Sequence, residues 1–380
     1  MGLSPLFAQK LQPDVIVLGN SNAALAAAIQ AARSNVKTLL ILQAGGLNLS
    51  PFAVQSNTTG LAKELAERYS EQPNTNFDKQ AASLKALAWT DSIKNLSVIK
   101  NVNWIKVTKS GSAWTFKLSD KRSAKARVLV CDTDPRLQQH IKLIDTNGVL
   151  WQDFRTEQNN YKTGIAARFA EKGLQFVTLY HIINPQTENY LEIKDPQSMA
   201  LGQALGATAA WAAFFKRNTS ESDLRTIQAE LLNFNSVLVP LADNELKPAQ
   251  QKNIQMLLLS GIIRPSYQKG KYYFYPKQLI EKDEIEAGMI DHFYKAQIWF
   301  EDHPEKELKL RSFIELICYI GNKAVESTQK DIEKKWQSSF GFSSNFDLDS
   351  RVSREVFATL LINYASPFSL SINRNGQVIH

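Results

Sequence analysis

The sequence predicts an α/β fold: a parallel strand–helix–strand core with a small β-rich insertion, followed by a mainly α-helical C-terminal domain. Three observations predict it. The stretch Asp14 to Leu42, DVIVLGNSNAALAAAIQAARSNVKTLLIL, reads as buried strand, glycine turn, small-residue helix and second buried strand. Residues 147–192 alternate or run apolar between Asn, Gly and Pro, as short strands do. From about Pro240 onward, segments rich in Lys and Glu alternate with aromatic loops, a helical pattern.

Taken in order, the first domain spans 13–239, with 136–196 as its insertion. VIVLG is a strand, AALAAAIQAAR a helix, KTLLIL a strand and TGLAKELAERYSE a helix. NLSVIK, VNWIKVTKSG, SAWTFKLS and ARVLV follow as short strands, so a β-meander sits inside an α/β arrangement. KTGIAARF, LQFVTLYHII and NYLEI make the insertion, with His181 as a strand histidine. QSMALGQALGATAAWAAFFKR is a long helix, and SESDLRTIQAELLNF a second one opened by Ser220 or Ser222 as N-cap. In the C-terminal domain, 240–380, two pieces resemble one another: YYFYPKQLIEKDEIEAGMIDHF at 272–293 and FDLDSRVSREVFATLLINY at 346–364. Each places an aromatic before a loop, then an aliphatic, a basic residue, an acid and an amphipathic helix, which is a two-copy repeat. The YYFY run within the first copy reads as turn and strand.

Composition bounds the function classes. With 44% apolar and 21% charged residues the chain can bury the cores of two domains. No apolar run reaches the roughly 20 residues of a membrane span. The net charge of +7 comes from 44 Lys and Arg interleaved with acids rather than clustered, which excludes nucleic acid as the expected partner. Cys131 and Cys318 are too few for a disulfide framework, and the five histidines show no metal-ligand spacing, so no metal site is expected. Residues 1–12 open with MGLSPLFAQ, which resembles the end of a bacterial secretory signal truncated at its start, or is a flexible N-terminus; the first alternative places the protein in the periplasm or outside the cell.

The turn after the first strand is where a dinucleotide would be held. Glycines there serve a tight turn, close approach of the backbone to pyrophosphate, and helix-on-strand packing. Gly19 stands at the first position, Ser21 at the second and Ala24 at the third. The helix start at Asn22 still offers N–H groups to an anion. The acid that would accept the ribose hydroxyls should end the second strand, but Leu42 stands there, with Gln43 next as a neutral acceptor. Losing a charge-assisted acceptor costs about 1.5 to 3 kcal/mol.

DVIVLGNSNAALAAAIQAAR with KTLLIL resembles the opening of FAD-dependent oxidoreductases of the glutathione-reductase-like superfamily, whose loop reads GGTxAGxAAAIAAAR in one bacterial group. TTGLAKELAERYSE is similar to the helix after the second strand, AKARVLVCDTDPRL to the strand ending in an ATGD-type motif, and DPQSMALGQALGATAAWAAFFKR to the closing helix. The resemblance runs from Pro13 to Asn235 and implies a Rossmann-like FAD/NAD(P)-binding domain. It implies that FAD, where bound, lies along Gly19, Ser21, Asn22, Ala24 and Gln43 on the adenosine side, and along Thr133, Asp134 and Ser198 beyond. The departures fall at those positions: Ser21 and Ala24 for glycines, Leu42 for the acid, and only Thr133 and Asp134 kept of the second motif. The C-terminal repeats resemble S-layer homology repeats, with Lys282 and Arg354 at the basic position and Glu284 and Glu355 close after; this implies a cell-envelope polymer or a protein as partner.

Two readings follow. The first is a non-catalytic binding or scaffold protein at the cell envelope, a pseudoenzyme with a degenerate dinucleotide motif. The alternative is an active FAD-dependent oxidoreductase with an atypical loop, in which the flavin carries the hydride chemistry. No catalytic residue is identified in either.

Overall fold

The computed structural model describes residues 10–43, 45–51, 59–69, 78–143, 150–157, 160–170, 173–243 and 248–380. The signal-like stretch 1–9 lies outside them. The chain forms two compact units: residues 1–152, 165–168 and 176–237, and residues 153–164, 169–175 and 238–380.

In the first unit the elements are β1 (Lys10–Leu11), β2 (Val15–Leu18), α1 (Asn22–Arg33), β3 (Thr38–Ile41), α2 (Gly60–Tyr69), α3 (Lys79–Asp91), β4 (Leu96–Ile99), β5 (Trp104–Ser110), β6 (Ala113–Leu118), β7 (Ser123–Ala126), β8 (Val128–Asp132) and α4 (Pro135–Ile141). After β9 (Gln152–Asp153), β10 (Gly164–Ala170) and β11 (Gly173–Thr178) come α5 (Leu179–Ile182), β12 (Tyr190–Ile193), α6 (Met199–Phe214) and α7 (Leu224–Asn233). Strands β12-β8-β2-β3-β4 form a five-stranded sheet, every pair parallel. Numbered by appearance in that sheet the order is 3-2-1-4-5, the dinucleotide-binding order, in which the crevice opens between the carboxyl ends of β2 and β8. This unit is an α/β, Rossmann-like FAD/NAD(P)-binding fold.

Alternation sends the strand residues to two covers. Ile16, Leu18, Leu39, Ile41, Leu129 and Cys131 pack on one side against Trp114, Phe116 and Leu118 of the antiparallel meander β5-β6-β7. The other side lies under α1 and α6. Eleven of the twelve residues of α1 are buried, which is why it is built from alanine. Gly202 and Gly206 of α6 let the two helices touch: a Cβ on Gly202 would lie 2.6 Å from Ala23 Cα, and one on Gly206 2.9 Å from Ala27 Cα. Across the same seam Gln203 Nε2 donates to Gln30 Oε1 at 2.8 Å, and Gln203 Oε1 accepts from the Leu61 N–H.

Three local readings are corrected. The helix α3 was not expected: its buried stripe, Ala82, Ala86 and Trp89, is mostly alanine and gives little contrast, although Asp78 caps it by accepting from the N–H groups of Gln80 and Ala81. His181 belongs to the short helix α5, not to a strand, because β11 ends at Thr178. The cap of α7 is Asp223, whose carboxylate accepts from Thr226 N–H at 2.7 Å, while Ser220 sits in a preceding 3-10 turn.

The second unit holds α8 (Pro248–Ser260), the hairpin β13 (Ser266–Gln268) and β14 (Lys271–Tyr273), and helices α9 (Lys282–His292), α10 (Tyr294–Asp302), α11 (Leu310–Gly321), α12 (Val325–Lys335) and α13 (Arg354–Tyr364). The repeat has a third copy. Single backbone bridges join Leu279 to Ser353, Glu281 to Glu307 and Lys309 to Arg351, so three segments close a triangle. Ile280, Leu308 and Val352 are buried at equivalent places, and helices start at Lys282, Leu310 and Arg354 two residues on. The middle copy escapes a sequence comparison because its helix starts with apolar Leu310 where the others have a cation. Those cations are buried with partners: Lys282 Nζ donates to His303 O at 2.8 Å and pairs with Glu305, and Arg354 donates to Phe274 O at 2.8 Å and pairs with Glu284.

Candidate functional site

The crevice between β2 and β8 is bounded by the turn Gly19 to Ser21, the start of α1 and the end of β8. Four N–H groups at such a helix start have no partner in the helix and normally wait for an anion. Here the anion is the chain's own. The Asp132 carboxylate, at the end of β8, accepts from Asn20 N–H at 2.8 Å, Ser21 N–H at 3.2 Å and Ser21 Oγ at 2.6 Å. The next donors are also engaged: Ala23 N–H reaches Pro196 O at 3.0 Å, and Ala24 N–H reaches Ser21 Oγ at 3.0 Å. A Cβ on Gly19 would meet Asp132 Cγ at 2.5 Å. Gly19 has no left-handed φ, so what it serves is not a strained turn but the close approach of Asp132.

The structure gathers some of the sequence-derived candidates here and disperses others. Gly19 and Ser21 meet Asp132, and Ala24 meets Ser21 Oγ. Asn22 turns aside, its amide exchanging bonds of 2.9 and 3.2 Å with the backbone of Ser50. Gln43 is held by its backbone: its N–H donates to Asn20 Oδ1 at 3.0 Å, and its carbonyl accepts from Asn20 Nδ2 at 3.5 Å. The Gln43 Nε2 atom is buried without a hydrogen-bond partner. Leu42 is fully buried. Thr133 donates to Ile193 O at 3.2 Å. Asp134 caps α4 and accepts from Trp104 Nε1 and Arg136; burial alone would push its carboxyl up, but those bonds together hold it below its usual value. Ser198 caps α6, accepting from Leu201 N–H at 3.2 Å.

Asp132 and Asn20 are the functional residues that sequence reasoning missed. The one signal was an Asp closing an otherwise apolar strand, ARVLVCD, beside a turn with two asparagines and a serine.

Burial pushes the Asp132 carboxyl above the usual carboxylate range and outweighs the bonds from Ser21 and Asn20, which favour the charge. The unfolded carboxyl ionises from about pH 4. The folded one keeps its proton to higher pH, so its contribution to stability is complete below that and declines as pH rises through the folded value. Asp132→Asn, which keeps the shape and cannot ionise, is therefore expected to gain on the wild type as pH rises above about 4. Urea midpoints for the two proteins measured across that range check it, and a constant difference would show that Asp132 titrates normally.

In this arrangement the donors that would meet the pyrophosphate of FAD are engaged by Asp132, and the position of the ribose-binding acid is held by the buried Leu42. Among the described residues no group of His, Cys, Asp and Glu could hold a metal ion. No described helix is long and apolar enough to cross a membrane.

No family model matches the chain, and no curated protein matches it. Among solved structures, thioredoxin reductase from Streptococcus pyogenes MGAS5005 is 20% identical over 32% of this chain, with a TM-score of 0.22. The L-proline dehydrogenase from P. horikoshii is 16% identical over 33% of the chain and 23% of its own, at 0.23. The p-nitrophenol 4-monooxygenase PnpA from Pseudomonas putida DLL-E4 is 10% identical over 60% of this chain and 80% of its own, at 0.30. The chain spans about a third, 35%, of the length of the thioredoxin reductase it matches. Alignments at these scores carry no weight for activity, and the fold assignment rests on strand order and register.

Proposed function

We propose that this chain is a flavin-independent binding protein built on a dinucleotide-binding fold, acting at the cell envelope through its helical unit. The observation that carries the first part is the seating of the Asp132 carboxylate on the donors of Asn20 and Ser21. A phosphate brought there would meet a carboxylate and compete with an intramolecular group that costs no association entropy. The second part is supported by a cleft of about 410 Å³ in the helical unit, where Trp336 lies beside Ser344, Asn345 and Arg351. Hydroxyl, amide and carboxylate groups from Ser344, Asn345, Asp347 and Glu355 beside Trp336 suit the hydroxyls of a neutral sugar.

The experiment is a calorimetric titration of the purified protein with FAD, together with its absorbance at flavin wavelengths. A colourless protein with no heat of binding is expected. A yellow protein, or a dissociation constant at or below the micromolar range, would sink the proposal.

One observation favours the alternative, an active FAD-dependent oxidoreductase: the buried, unpartnered Gln43 Nε2 stands at the end of β3, where a ligand oxygen could accept from it. In that reading Asp132 leaves the turn when FAD enters, and the same titration gives the opposite result.

A further inference from the structure

At the opposite end of α6 from Ser198, three aromatic side chains crowd the surface of the first unit. Trp211 and Phe215 have ring centroids 5.3 Å apart, and Phe214 and Phe215 5.1 Å. Phe214 is 57% exposed and Phe215 51%. Exposed aromatics in a contiguous group mark a surface made to be covered. They border a groove of about 360 Å³ whose floor is Ala207, Ala210 and Ile227.

The charge around the groove is cationic. Lys216 follows the aromatic pair directly in the left-handed conformation (φ 53°) that ends the helix. The adjoining cleft shares Arg33 and Asn35 with the groove as a common wall and brings Arg68 and Lys94 beside Trp89. Arg33 is neutralised by Glu64, and Arg217 by Glu221. Among the described residues no acidic group pairs with Lys216, Arg68 or Lys94. Glu230 is the acid of the groove itself.

Aromatic rings beside lysines and arginines are what an interfacial anchor presents: rings lodge at headgroup depth while long basic side chains reach phosphates. We propose that this end of the α/β unit docks on the surface of an anionic lipid bilayer, Phe214 and Phe215 entering the interface and Lys216, Arg68 and Lys94 facing the headgroups. The inference is independent of the flavin question, since none of these residues touches the Asp132 turn.

The test is flotation of the full chain with phosphatidylcholine vesicles, with and without phosphatidylglycerol. Binding to the anionic vesicles is expected to exceed binding to the neutral ones roughly tenfold and to weaken with added salt. Phe214→Ser with Phe215→Ser, both exposed and so neutral for folding by circular dichroism, is expected to reduce it roughly tenfold. Lys94→Glu with Lys216→Glu is expected to remove the preference for phosphatidylglycerol. Absence of vesicle binding by the wild type, or binding unchanged in the aromatic variant, would overturn the proposal. So would light scattering that shows a wild-type dimer which the aromatic variant dissolves without any vesicle binding, because a second copy would then be the occupant.

Discussion

Gly202→Ala is expected to cost the α/β unit about 3 kcal/mol, a large fraction of the roughly 5 to 15 kcal/mol that ordinary domains have. The added methyl would sit 2.6 Å from Ala23 Cα and 2.7 Å from its carbonyl carbon, with the carbonyl oxygen nearer still. These are backbone atoms of a helix whose own N-terminal residues are pinned to Asp132 and Pro196, so α1 cannot step aside without pulling on the turn. Separating the helices would break the Gln203–Gln30 bond and leave the buried Gln30 Oε1 without its donor. Urea unfolding of the variant against the wild type measures the loss; a shift below about 1 kcal/mol would mean that the helix pair relaxes far more easily than its packing implies.

Asp132→Ala carries the second large effect. It leaves Asn20 N–H, Ser21 N–H and Ser21 Oγ without their acceptor in a largely buried turn, for which about 2 kcal/mol of lost stability is expected. It also leaves a vacant anion cradle at a helix start. Inorganic pyrophosphate is therefore expected to raise the thermal midpoint of the variant and to leave the wild type unmoved. A variant as stable as the wild type, and equally indifferent to pyrophosphate, would show that Asp132 does not close the turn.

Much of this fold was legible from residues alone. Four-residue apolar strands such as VIVL and TLLI must be buried on both faces, and a helix of alanines between them must be packed all round; together these state a parallel sheet under helices. What stayed hidden was long-range or low in contrast. Asp132 lies 112 residues from Asn20, and only the pairing of β2 with β8 brings the two together. α3 hides because alanine is small whichever way it faces. The third repeat hides because Leu310 keeps the burial of Lys282 and Arg354 but not their charge. At the candidate positions Asn22, Thr133 and Ser198 each side chain bonds its own chain, a partner that residues alone do not show.

The triangle in the helical unit bears on how that unit is made. Its three sides come from segments near 280, 308 and 352, so the first side meets one neighbour, through Glu281 and Glu307, well before the other, through Leu279 and Ser353. Helices α9 to α12 can form early, but Ile280 and Leu308 have no complete shelter until Val352 arrives. A nascent chain therefore carries this apolar seam open until the segment at 352 has been made, and closing the triangle is the non-local, slower step in folding the unit.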